Sequence, residues 1–337
     1  MASSISIIGA FRHGGRLREA MAAYPDAPRP WLDLSTGINP EPWVGQRAPA
    51  DALRRLPDPA ALAGLEAVAA RAFGVEDAAR VVAVPGAEAA LRLLPMLLGG
   101  ERVALATPIY GGHAEAWAGR APTTISTLSD PAARDSDVLV LVNPNNPDGR
   151  RVSRADLAGL AVERSAAGRW TVVDESFVEV APDLSVADLE IERLIVLRSF
   201  GKFYGLPGAR LGFVIGDNIF ARQLRVLLGD WPLGADALAL GLGAYADDIW
   251  RATARAWIAT QAVEVDAVLA EAGLKVVGGC DLFRWVEVPD AHAVFQRLCE
   301  HGMLTRPFID RSDRLRIGLP SRNDFNRFRQ VYQAVRS

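Results

Sequence analysis

The sequence predicts an α/β protein: a mostly parallel, doubly wound sheet that carries most of the chain, with a smaller α+β part toward the carboxyl-terminal end. Three observations predict it. Between residues 80 and 216, short apolar runs alternate with glycine- or proline-bearing turns and helix-period segments, which is how a parallel sheet with crossover helices reads. Residues 219–272 then have a largely helical pattern, broken at Trp231-Pro232-Leu233-Gly234. Beyond them, strand-like runs at 275–277, 282–288 and 315–319 accompany a helical segment at 291–300. These shifts divide the chain into an amino-terminal arm over 1–43, a large domain over 44–218 and a small domain over 219–337.

A chain of 337 residues, half of them hydrophobic, buries a sizeable core. A formal net charge of −3 without any polybasic run argues against nucleic acid or an anionic membrane as the main partner. Cys280 and Cys299 lack metal-ligand spacing, so no metal site is expected, and two cysteines in so long a chain suit a reducing compartment, the cytoplasm. Met1–Ala10 lacks the basic and apolar regions of a leader, and no later apolar run approaches membrane-spanning length.

Taken in order, residues 11–43 are rich in Gly, Pro, Trp and Arg, and a short strand-like Trp31–Leu34 leads into Ser35-Thr36-Gly37-Ile38-Asn39-Pro40. His13-Gly14-Gly15 and Asn39-Pro40 read first as turns, although glycines beside a histidine also let backbone amides approach an anion. Residues 58–73 form an alanine- and leucine-rich helix ended by Gly74. The strand Arg80–Val84 turns through Pro85-Gly86-Ala87-Glu88 into a helix over 89–98, and unpaired amides at such a helix start favour negative charge. Arg102–Ala106 is the next strand, followed by Tyr110 and His113; an aromatic at a strand's carboxyl end stands where open α/β sheets bind ligands, and a flat heteroaromatic ring stacks on it.

The continuous apolar run 137–142 suits the middle of a parallel sheet and ends in turns at Asn143-Pro144-Asn145-Asn146-Pro147, where Asn146 offers a neutral donor. Ser153 then caps a helix over 153–167. After the strand 169–173 come Asp174 and Glu175; side chains alternate along a strand, so one of the two carboxylates faces inward and needs a cationic partner, such as a protonated pyridine nitrogen. A further strand, Leu211–Gly216, closes the series. Near the end, Arg306 and Arg316 hold strand-like positions, and Arg316 faces away from Leu315 and Ile317 toward a cleft, whereas Arg327, Arg329 and Arg336 read as solvated.

The densest stretch is Ser199-Phe200-Gly201-Lys202-Phe203-Tyr204-Gly205-Leu206-Pro207-Gly208-Ala209-Arg210, directly after the buried run 194–197. Its glycines and proline argue for a loop. The chain has only two lysines, Lys202 and Lys275. A lysine becomes a nucleophile when held from water or beside another cation, which Arg210 supplies. Ser199 and Arg210 are also the hydroxyl and the planar fork that hold a phosphate dianion.

Glu88, Tyr110, Asn146, Asp174, Ser199, Lys202 and Arg210 in this order resemble the fold-type I pyridoxal-phosphate enzymes, the aspartate aminotransferase superfamily, over nearly the whole chain. The resemblance rests on a Ser-x-x-Lys-x7-Arg element, on Pro108-x-Tyr110-x-x-His113, on Asn146 and on Asp174. It implies pyridoxal phosphate carried by Lys202, with Lys202, Asp174 and Tyr110 catalytic and with cofactor contacts at Ala87, Glu88, Tyr110, Asn146, Asp174, Ser199, Lys202 and Arg210. Within the superfamily, His13–Ala20, Leu34–Pro40 and Lys202–Gly208 resemble the threonine-phosphate decarboxylases of cobalamin biosynthesis, with the histidinol-phosphate aminotransferases next. This implies a homodimer and a small substrate bearing a carboxylate and a phosphate, bound by His13, Gly14, Asn39, Asn146, Arg306 and Arg316, with the arm contributing to the active site.

The expected reaction is conversion of L-threonine O-3-phosphate to (R)-1-aminopropan-2-yl phosphate and carbon dioxide, with Lys202, a water or Tyr204 as proton donor. An aminotransferase of the histidinol-phosphate type is the alternative, and a non-catalytic protein of the same fold is the third reading. Two positions depart from the pattern. Phe177 stands where aminotransferases have a tyrosine reaching the ring oxygen, and Leu56 stands where the family often has a tyrosine reaching the neighbouring subunit's cofactor phosphate.

Overall fold

The computed structural model describes residues 13–335, so residues 1–12 of the expected arm and Arg336 lie outside it. The chain divides into two compact units: Pro42–Asn146 with Arg150–Thr253, and Met1–Glu41 with Pro147–Gly149 and Ala254–Ser337. Strand β1, Leu32–Asp33, belongs to the second unit; the seven strands that follow build the first.

These seven are β2 (Val81–Val84), β3 (Val103–Ala106), β4 (Thr123–Ile125), β5 (Val138–Val142), β6 (Trp170–Asp174), β7 (Leu194–Ser199) and β8 (Gly212–Ile215), in the order β2-β8-β7-β6-β5-β3-β4. From β4 to β7 every neighbouring pair is parallel, while β8 is antiparallel to both β7 and β2. All five residues of β5 are buried, as an apolar run covered on both faces must be. The short edge strand β4 escapes the sequence reading because two of its three residues are exposed threonines. At the other edge, Glu66 turns a carboxylate oxygen onto the amide of Ala83 at 3.0 Å, so β2 offers no bare donor there.

Sequence-level stop signals hold for the helices. The helix Pro59–Phe73 starts at Asp58, which accepts from the amide of Ala60 at 2.8 Å, and ends at Gly74 with φ 74°. Ser153 accepts from the amide of Asp156 at 3.1 Å ahead of the helix Arg154–Ala166. The helix after β2 runs Ala87–Leu97 and so begins two residues before the expected 89, because Gly86 at φ 93° makes the turn by itself.

Two expectations change. Helices Asn218–Leu228 and Ala235–Ala246 and the start of Asp248–Glu271 group with the sheet rather than with the residues that follow, where the sequence reading begins a new domain at 219. Phe220, Ala221 and Leu224 enter the sheet's hydrophobic core, and Tyr245 meets Phe73 and Phe213 edge-on. Second, Lys202 is not on an irregular loop: Phe200–Phe203 forms a single helical turn. Gly201 is needed there for close approach, since a Cβ would stand 2.8 Å from the Pro207 Cα.

The second unit has an antiparallel sheet of β9 (Lys275–Cys280), β10 (Phe283–Glu287), β12 (Arg306–Phe308) and β13 (Arg311–Gly318), in the order β12-β13-β10-β9. β1 pairs in parallel with β11, Met303–Leu304. The helix Ala291–Glu300 lies where the sequence predicts it.

Candidate active site

Parallel strands send their carboxyl ends to one edge of the sheet, and loops leaving that edge converge. In the first unit they enclose a cavity of about 280 Å³. The eight cofactor residues expected from the sequence, Ala87, Glu88, Tyr110, Asn146, Asp174, Ser199, Lys202 and Arg210, all line it. Asp174 and Ser199 are the last residues of β6 and β7, and Lys202 stands on the turn that follows.

One end of the cavity is built for an anion. The helix Ala87–Leu97 starts at it, and its first amides, those of Ala87 and Glu88, come before the first one bonded back to Gly86, at Ala89. Arg210, at φ 53°, lays its guanidinium against the helix start, where a Cβ on Gly86 would come within 2.8 Å of Nη2. Glu88 takes part through its place in that first turn, because its carboxylate faces outward and accepts from Arg92 Nε at 2.9 Å.

At the other end stands Asp174, only 4 % exposed. One carboxylate oxygen lies 2.9 Å from Nε2 of the fully buried His113; the other accepts from the Ser176 amide at 2.9 Å and the Ser176 hydroxyl at 2.5 Å. Burial by itself would raise this carboxyl, but His113, through its hydrogen bond and its charge, and then Ser176 outweigh it and hold Asp174 below the usual carboxylate range. His113 donates to Asp174 through Nε2, and its Nδ1 is buried without a hydrogen-bond partner. Ser176 is absent from the sequence reading, although an Asp with Ser two residues on is a recognisable turn pattern.

Between these ends lies the half-buried Lys202, whose Nζ is 5.8 Å from the centroid of the Phe177 ring. Phe177, 3 % exposed, lines the cavity and offers no hydroxyl. Tyr204 does not line it: its ring is fully buried, stacked on Phe200 at 4.8 Å and on Trp250 at 5.6 Å, and burial followed by nearby Glu179 holds its phenol well above the usual range. That removes Tyr204 from the candidate proton donors. Leu56 is 68 % exposed.

Asp174 and Glu175 are both buried, and as the expected alternation requires, one of them, Asp174, turns to the cavity. Glu175 points to the opposite side of the strand, where it accepts from Arg198 Nη1 at 3.0 Å.

Of the expected substrate residues, only Asn146 belongs to this unit; the rest are in the second. There Gly14, Arg316 and Arg306 are drawn together. A Cβ on Gly14 would stand 2.4 Å from the Ser35 carbonyl oxygen, the same oxygen that accepts from Arg316 Nη2 at 2.8 Å. Arg306 is the direct cross-strand neighbour of Arg316, with its guanidinium over the Phe308 ring at 5.0 Å. Arg316 is 6 % exposed. Asn39 is buried and accepts from the Glu41 amide at 3.0 Å, the turn its sequence suggests, while His13 is half-buried. Arg327 departs from its solvated reading, since it donates to the carbonyls of Pro28 and Pro30.

The sequence pattern of class I and II aminotransferases matches residues 31–330. The chain belongs to the class I and II aminotransferase family. Among relatives of this family member are a threonine-phosphate decarboxylase of Pseudomonas aeruginosa, 38 % identical over 92 % of this chain and 93 % of the relative, and one of a Sinorhizobium species, 38 % identical over 91 % and 92 %. A histidinol-phosphate aminotransferase of a Geobacter species is 29 % identical over 91 % of each chain. Among solved folds of the family, histidinol-phosphate aminotransferase of Sinorhizobium meliloti in complex with pyridoxal-5'-phosphate superposes with a TM-score of 0.82 at 18 % identity, covering 100 % of this chain and 98 % of that one. L-threonine-O-3-phosphate decarboxylase of Porphyromonas gingivalis gives 0.74 at 20 %, covering 90 % and 98 %. Among the described residues of this aminotransferase-family chain, no helix is long and apolar enough to cross a membrane.

Proposed function

We propose that this chain is a pyridoxal-phosphate-dependent decarboxylase that converts L-threonine O-3-phosphate to (R)-1-aminopropan-2-yl phosphate and carbon dioxide, for cobalamin biosynthesis, as a cytoplasmic homodimer. The observation that carries the reading is full-length likeness, at 38 % identity over 92 % of the chain, to a threonine-phosphate decarboxylase.

The cavity fits the cofactor in size and in donor set. Helix-start amides at Ala87 and Glu88, the Ser199 hydroxyl and Arg210 would hold a phosphate, with Gly86 leaving room for the guanidinium. Tyr110 would stack on the ring, Asn146 would donate to its hydroxyl oxygen, and the Asp174 carboxylate, kept charged by His113 and Ser176, would hold a protonated ring nitrogen. Bound there, the cofactor supplies an electron sink for the bond broken at the substrate's α-carbon.

The chain's own residues supply the rest. Lys202 would hold the cofactor through Nζ, and its amine is the group that would carry a proton to the substrate's α-carbon. Phe177 keeps water from that amine on one side. Which α-carbon bond breaks is a matter of orientation, set by pinning the substrate's two anions. Arg306 and Arg316 suit that role, because like charges directly opposite on neighbouring strands repel and an anion relieves the repulsion. His13, Gly14, Asn39 and Asn146 complete the proposed substrate set.

The test is a product assay. Carbon dioxide released from threonine phosphate with no keto acid present supports the reading; glutamate formed from histidinol phosphate and 2-oxoglutarate, without decarboxylation, overturns it in favour of an aminotransferase.

A further inference from the structure

The two strand ends that face the cavity are tied together from behind. Asp174 looks into the cavity, and its chain neighbour Glu175 looks away; Ser199 looks in, and its neighbour Arg198 looks away. The two outward-turned side chains meet. Glu175, 1 % exposed, accepts from Arg198 Nη1 at 3.0 Å, from the Ser185 hydroxyl at 2.8 Å and from the Val186 amide at 2.7 Å. Arg198, 5 % exposed, also pairs with Glu179 at 3.3 Å through Nη2 and lies over the Phe73 ring at 4.4 Å. Tyr204, Tyr245, Arg251 and Arg154 are other titratable groups that interact electrostatically with this cluster.

Because side chains alternate along a strand, a twist that moves Glu175 or Arg198 swings Asp174 or Ser199 by the same rotation in the opposite direction. The parallel β6–β7 ladder ends at Asp174 opposite Leu197, and past it the Glu175 amide donates to the Leu197 carbonyl at 2.9 Å. We infer that Glu175 and Arg198 are positioning residues, a buried ionic clasp that sets the angle at which β6 presents Asp174 and β7 presents Ser199 and the Lys202 turn to the cofactor. The inference rests on the reading of this cavity as the pyridoxal-phosphate site.

The clasp is unlike an ordinary surface bridge. Two carboxylates share one guanidinium out of water, and such a group is retained at a cost in desolvation that apolar residues would avoid. Residues that orient a binding group from behind cost about ten- to a hundredfold when changed, as outer partners of metal ligands do.

The experiment compares wild-type protein with Glu175→Gln, which keeps size and removes the charge, with Arg198→Lys, which keeps the charge and loses the fork that spans Glu175 and Glu179, and with Arg164→Lys, a buried arginine at the opposite end of the sheet. For each, the affinity for added pyridoxal phosphate, the pH midpoint of the bound cofactor's visible absorbance, kcat, KM and Tm are measured. In the Glu175 and Arg198 variants we expect cofactor affinity to fall about tenfold, kcat to fall about tenfold with KM within about twofold, and the absorbance midpoint to move. Arg164→Lys should lower Tm alone. If Glu175→Gln and Arg198→Lys lower Tm but leave affinity and absorbance midpoint at the wild-type values, the clasp is merely structural and the inference falls while the functional reading stands. Wild-type protein that takes up no pyridoxal phosphate overturns both.

Discussion

Two of the arginines buried in the same unit have surroundings that separate the two ends of its sheet. Arg164, 1 % exposed, sits at the amino ends of β5 and β6 and, among the described residues, has no carboxylate in hydrogen-bond reach. It donates to the carbonyls of Ala133, Arg134 and Trp170 and to the Thr171 and Ser136 hydroxyls, and burial, reinforced by nearby Arg169, brings its guanidinium down to about 10. Arg198, at the carboxyl end, is as deeply buried, yet Glu179 and Glu175 outweigh that burial and raise it. Neutral acceptors satisfy geometry and leave the charge a net cost; carboxylates stabilise the charge but must themselves be desolvated. Arg164 is therefore held by neutral acceptors, and Arg198, at the cavity end, by full charges from Glu175 and Glu179.

If the carboxyl end is the working end, removing charge there should abolish chemistry while leaving the fold intact. Lys202→Ala should cost about a thousandfold or more in turnover and remove the visible absorbance of the protein with pyridoxal phosphate. Asp174→Asn keeps shape and the Ser176 contacts but cannot stabilise a protonated ring nitrogen; turnover should fall about a hundredfold at unchanged Tm. Loss of Tm in proportion to activity would break the contrast. Arg164→Lys should do the reverse. It keeps the charge and loses the fork that reaches several carbonyls at once, so urea unfolding should show a loss of about 2 kcal/mol while turnover per folded molecule stays within about twofold.

The sequence made the carboxyl end legible because its residues are of unusual type at strand ends: a lysine where only two exist, an Asp after five apolar-flanked residues, an arginine after glycines. The strand β5 and the caps Asp58, Gly74 and Ser153 were equally plain, since their signals are local. What stayed hidden depends on partners far along the chain. Nothing around Glu175 announces that Arg198, twenty-three residues on, will bury it. Gly201 reads as a helix breaker until Pro207 is seen to need its missing Cβ. Residues 219–246 look like the start of another domain because their helical pattern does not tell which core receives their apolar faces.

The amino end offers a finer test of the same contrast through Asp137, just before β5. Its carboxylate accepts from the amides of Glu101 and Arg102 at 3.0 Å each and from Arg102 Nη2 at 2.6 Å, and the arginine and then these amides bring it down to about 2. An unfolded Asp titrates near 3.9. With the folded value depressed, the stability it contributes is fully present above the unfolded value and is lost as pH falls through the folded one. Asp137→Asn should therefore be less stable than wild type near neutral pH, and the gap should close between about pH 5 and pH 2 as the wild-type carboxylate takes up its proton. Arg102 is 62 % exposed, so solvent screening limits the gap to about 1 kcal/mol. Turnover at neutral pH should not change. A gap that persists undiminished at the acid end would mean that the amide contacts, not the charge, hold this corner of the sheet.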